Sequence, residues 1–260
     1  MIAKLFKEQR PLMVAGLVSF LCFIVTLFLT QFDSTLILGI NRWIKPMKFF
    51  ISIAIFVWTI AVFLQYLKGH ERFSRFTSWA MIAIFAVEMA AVTGQVLRGT
   101  TSHFNTVDPL SAAMFAIMGI AIVFNTVLVA MLAYYYFRSE IELPESIVWG
   151  MRIGLLLFLA GSIQGGYMSA QLGHTVGAPD GGPGLPLVNW STVAGDLRVA
   201  HFLGLHSLQA VPLFAVVIER LRVSARTALT VGFAAVYFGI FLFLFAQAVV
   251  RKPVLSWPFA

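Results

Sequence analysis

Glu88 is the one acid in this sequence that falls inside a long apolar run, where an ionisable group is costly and needs a reason. Gln95 follows seven residues later, at nearly the same angle around a helix. Counted from the end of its run, Glu88 lies about 13 Å deep. Later in the chain Asp196, Arg198, His201, His206 and Gln209 crowd the start of another run. At about 100° per residue, the last four of these fall within roughly 140° of arc. His201 would then lie about 3 Å deep and His206 about 10 Å deep from the same surface. Glu88 and His206 thus reach similar depth from two helices, and a direct or metal-bridged contact between them is expected.

Imidazole and carboxylate suit Zn, Cu or Fe without any thiolate. Glu88, His103, His174, His201 and His206 supply those ligand types, and four of the five histidines fall in one half of the spans or its loops. A bis-histidine haem would draw one ligand from each of two facing helices, with His103 or His174 as the partner of the pair at 201 and 206. As acid–base groups, Glu88 and His206 with Arg198 form a candidate catalytic set. Gln95, Arg98, Asn105, Gln164 and Gln209 would line a substrate, and Arg98 and Arg198 would orient a small polar or anionic group or a lipid headgroup. This reading gives a metal- or haem-dependent membrane enzyme or redox protein. A second reading makes Glu88 a proton- or cation-coupling carboxylate with histidines as its relay, in a transporter, channel or sensor. In a third, the same groups only lock helices together in a structural subunit.

The elements that must position these residues follow from composition. Of 260 residues, 60% are hydrophobic and 11% charged, too little charge to cover a soluble surface. Uncharged or nearly uncharged runs predict seven transmembrane helices over 11–32, 49–67, 76–97, 109–137, 147–172, 197–218 and 227–250. Each is long enough for a hydrocarbon core of about 30 Å. Unpaired backbone in lipid rules out open strands. The expectation is an all-α, single-domain, seven-helix bundle in the plasma membrane, with lipid as its main partner. The 18 Lys and Arg divide eleven to seven if the N-terminus lies in the cytoplasm, which favours a cytoplasmic N-terminus and an external C-terminus. That count places Arg222 inside, and Lys45, Lys48, Arg98 and Arg198 outside.

A net charge of +7 without aromatic-interleaved basic runs does not point to nucleic acid. The first run is too long for a signal-peptide core and reads as a retained anchor. Cys22, the single cysteine, allows no disulfide within the chain. No lysine for a retinal Schiff base and no histidine pair of the kind found in seven-helix metal hydrolases occurs in 227–250. The segment 173–196 is dense in Gly and Pro, so it must be irregular, and Leu185, Leu187, Val188 and Trp190 favour packing it as a cap rather than leaving it loose.

Overall fold

The computed structural model describes residues 2–221 and 223–255, so Arg222 and the last five residues lie outside the described part. Eight α-helices are present among the described residues, and seven are long and apolar enough to cross a membrane. The chain divides into two compact units, Met1–Leu128 and Val129–Ala260.

The first unit holds α1 (Ile2–Glu8), α2 (Arg10–Phe32), the strands β1 (Leu36–Ile37) and β2 (Ile40–Asn41), α3 (Ile44–Tyr66), α4 (Glu71–Leu97) and the first part of α5 (Pro109–Arg138). α2, α3 and α4 pack on one another around Leu12, Ile60, Phe63 and Met81, all buried. Gly16 lets α2 and α3 close: a Cβ there would sit 2.2 Å from the Trp58 indole, whose N–H donates to the Met13 carbonyl at 3.2 Å. Between α2 and α3 the chain turns through Leu38 and Gly39, both at positive φ, as a two-residue hairpin requires. Asp33 holds this hairpin, accepting from the Thr35 amide at 3.0 Å, Arg42 Nε at 2.6 Å and the Trp43 indole at 2.8 Å. The bonds from Thr35, then Trp43 and Arg42, hold its carboxyl well below the usual carboxylate range.

The second unit holds the rest of α5, α6 (Glu145–Ala170), β3 (Thr175–Val176), β4 (Gly195–Asp196), α7 (Leu197–Arg220) and α8 (Arg226–Val249). α6 and α7 make the most intimate pairing, with α8 packed on both around Leu157, Val211, Ala234 and Tyr237. The Tyr237 hydroxyl satisfies itself by donating to the Leu203 carbonyl at 2.6 Å. At the opposite end from the glycine-rich loop, Glu219 accepts from Ser146 and pairs with Arg226 at 2.8 Å.

Five of the seven long helices begin earlier than the runs that predict them, while α5 and α7 begin where expected. Lys45 and Lys48 lie inside the first turns of α3, and α4 starts at Glu71, five residues before 76. Charged first turns are still helical, so a rule based on charge-free runs trims them. The short α1 has no counterpart in the seven expected helices for a related reason: it is too short and too charged.

Segment 173–196 is irregular, as its composition requires, but fastened at both ends. β3 pairs antiparallel with β4, and Gly184 bridges to Ser191. Asp196 accepts from the Ser191 amide at 2.7 Å and the Arg198 amide at 3.0 Å, capping α7. Burial pushes the Asp196 carboxyl up, and the Arg198 guanidinium more than offsets this, leaving the group below the ordinary aspartate value. Its stabilising contribution is therefore present above about pH 3.9 and is lost as pH falls through the depressed folded value. Asp196→Ala is expected to cost the second unit about 3 kcal/mol, because Arg198 is left without its counter-charge. Thermal unfolding of the detergent-purified variant checks this, and a melting temperature equal to wild type would refute it.

Candidate functional site

The site of the first unit is built by how α4 stops. Gly99 at φ +75 follows the last turn; its amide donates to the Val96 carbonyl at 3.1 Å, and the Thr100 amide reaches back to the Gln95 carbonyl at 3.0 Å. This double closure satisfies the end carbonyls of α4 and folds the chain back over the helix. Asn105 braces the returning segment, donating to Thr100 Oγ1 at 2.9 Å and the Thr101 carbonyl at 2.8 Å, while its own Oδ1 accepts from the Val107 amide at 3.2 Å. Asn105 is therefore a loop brace.

Arg98 fastens the next element. It donates to Gln95 Oε1 at 2.6 Å and Ser111 Oγ at 3.2 Å, and pairs with Asp108 at 3.2 Å. Asp108 in turn accepts from the Leu110 and Ser111 amides and from Ser111 Oγ, so it caps α5. The bonds from Ser111, then from Arg98, hold its carboxyl at about 2.

With the loop so fixed, His103 stands over Glu88, its Nε2 3.5 Å from Glu88 Oε1. The Glu88 side chain is 3% exposed and that of His103 is 25% exposed. Ser102 Oγ lies 3.1 Å from His103 Nδ1. A neutral ring fits these neighbours when the Ser102 hydroxyl donates to Nδ1 and Nε2–H points at the carboxylate. Phe49, Phe104 and Phe115 surround the imidazole at 5.4 to 6.4 Å between ring centres. Lys45 Nζ lies over Phe49 at 5.9 Å. Burial, and then the positive charge of Lys45, hold the His103 imidazole below its ordinary value, against the pull of Glu88. Glu88 Oε2 and Gln95 Nε2 are both buried without a hydrogen-bond partner among the described residues.

The depressed His103 value has a consequence for stability. Between that value and about 6.5 the unfolded chain binds more protons than the folded one. The first unit is therefore expected to lose stability as pH falls through that window. His103→Gln should flatten the dependence in thermal unfolding across a pH series. An unchanged pH profile would refute it.

In the second unit the expected residues have other partners. His174 Nδ1 lies 3.1 Å from Asp180, which also accepts from the Thr175 amide at 2.9 Å, so this histidine belongs to the turn that carries β3. Arg198 Nε donates to Asp196 at 2.9 Å and its Nη2 to the Asn189 carbonyl, which fixes the loop. His201 Nδ1–H donates to the Gly161 carbonyl at 2.9 Å. Gln164 donates to the Leu197 carbonyl at 3.1 Å, and its Oε1 is buried without a partner among the described residues. His206 Nδ1 lies 3.3 Å from Gln209 Oε1, with its ring 4.2 Å from that of Phe202, which also meets Trp190.

Of the residues singled out by sequence, the structure brings together Glu88, Gln95, Arg98, His103 and Asn105 in the first unit. It shows Glu88 paired with His103 and His206 with Gln209. Ser102 and Ser111 are additions that spacing did not mark, the Ser102-His103 adjacency being the available signal, and Lys45, expected only among the outer cations, stands beside the imidazole. Among the described residues no three His, Cys, Asp or Glu side chains gather as a metal ion would need. Compared with known protein families, characterised proteins and solved structures, the chain matches none.

Proposed function

We propose that this chain is a multi-pass plasma-membrane protein that binds protons through Glu88 and His103 near its outer face, coupling protonation to small-solute transport or to sensing. In this reading the N-terminus is cytoplasmic and the Leu97 end of α4 faces outward. The observation that carries it is the graded burial of the pair: a part-exposed imidazole 3.5 Å from a carboxylate that is sealed in and has one oxygen unsatisfied. A proton arriving from water meets His103 first and passes to Glu88. Depressing the imidazole's affinity, as burial and then Lys45 do, keeps the relay from trapping the proton on the way. An isolated carboxylate at this depth is costly unless it exchanges or shares a proton. That no three His, Cys, Asp or Glu side chains gather among the described residues supports the proton-binding reading over a metal enzyme.

Infrared difference spectroscopy of the reconstituted protein tests the proposal. Acidification should raise a protonated-carboxyl band that vanishes in Glu88→Gln and whose midpoint moves in His103→Gln. A wild-type spectrum with no carboxyl band responding to pH would sink it.

A further inference from the structure

A groove of about 620 Å3 runs between α2, α3 and α4 of the first unit. That volume is in the range of sites that enclose a small molecule. Its deepest lining residues are the buried Ile53, Val57 and Met89, and the small side chains of Ala15 and Ala86 leave room between the larger Phe85 and Trp79. Val18 and Trp79 are 54% and 60% exposed, so the trough lies open along its length. Arg10 is the single charged residue of the lining, at the first residue of α2, and it has no ion-pair partner among the described residues. No acid lines the groove.

We infer that this groove holds one acyl chain of an anionic phospholipid, with the headgroup phosphate on Arg10. Two features fit that occupant. The α2 wall runs from Arg10 to Ser19, nine residues or about 14 Å of helix. One leaflet of a bilayer has about 15 Å of hydrocarbon, which matches the length of this wall. The only cation stands at the end where a phosphate would lie, and the Trp79 indole is of the type that settles at the level of headgroups. A docked helix from another protein would not need a lone guanidinium at the end of an otherwise apolar trough. The inference rests on the membrane-spanning reading above, but not on the Glu88–His103 pair.

The test uses the full chain, extracted from the membrane fraction and examined by native mass spectrometry with dioleoyl phosphatidylglycerol or dioleoyl phosphatidylcholine added. Wild type is expected to retain phosphatidylglycerol selectively. Arg10→Gln should weaken that preference about fivefold, as one surface cation would. Ala86→Trp, an exposed position where a larger side chain fills the trough, should abolish retention of both lipids. Equal retention of the two lipids by wild type, unchanged selectivity in Arg10→Gln, or a shift from dimer to monomer in Ala86→Trp would each overturn it, the last by assigning the groove to a second copy. Recovery of the chain in the soluble fraction would instead overturn the membrane reading itself.

Discussion

Gly204→Leu is expected to separate α6 from α7 and to leave the second unit unable to hold its fold in detergent. The two helices cross where Gly161 and Gly204 face each other; a Cβ on Gly204 would lie 2.6 Å from the Gly161 Cα, and one on Gly161 would lie 2.8 Å from Gly204. Neither neighbour is a movable side chain, so the backbones themselves would have to part. Close approach through glycine is how helices associate where no hydrophobic gain distinguishes a neighbouring helix from lipid. Separation would also break the bond from Ser207 Oγ to the Gly154 carbonyl, 2.9 Å long and buried. It would displace the His201 ring, which sits where a Cβ on Gly165 would come within 2.6 Å. Overpacking a tight contact costs about 1–3 kcal/mol, and the lost buried bond adds about 1 kcal/mol. Size-exclusion and thermal unfolding measurements on Gly204→Leu, beside Gly204→Ala as the milder step, would decide it. A melting temperature for the leucine variant equal to wild type would refute the crossing.

Glu88→Gln should do two things at once: end proton binding and stabilise the first unit. The two carboxamide atoms occupy the carboxylate positions, so the shape of the site is kept. The amide carries no charge to desolvate, and its oxygen can still accept from His103 Nε2–H. Glu88 Oε2 has no hydrogen-bond partner among the described residues, and such a buried polar atom costs about 1–3 kcal/mol. A gain of about 1 kcal/mol in thermal unfolding, together with loss of the carboxyl infrared band, is the expected result. A carboxylate retained only to lock helices would behave oppositely, and a fall in stability on substitution would assign it that role.

Seven apolar runs were legible in the sequence because lipid exposure demands an almost charge-free length, and the seven long helices follow them. Their starts were less legible: Lys45, Lys48 and Glu71 are charged yet helical, since helix geometry does not stop where the apolar run stops. The depth of Glu88 and its shared face with Gln95 came from helical periodicity alone. Its neighbour did not. His103 reaches Glu88 only because Gly99 reverses the chain and Asn105 braces the return, and loop paths carry no period. The pairing of Arg198 with Asp196 was readable from adjacency, whereas that of Arg98 with Asp108, ten residues on, depends on the path of the loop. The glycines at 150, 154, 161 and 165 recur at intervals that mark one face of α6, a signal available in the letters but submerged among 20 glycines.

The glycine-rich segment of the second unit is tied down by β3 against β4 at its base and by Arg198 reaching to Asn189 near its tip. Gly195 lies so close to the Ala248 carbonyl, where a Cβ would be 1.9 Å away, that the strand rests on the end of α8. A segment pinned in this way acts as a fixed collar, not a door. Whatever approaches this end of the unit therefore meets the same fixed surface at each collision.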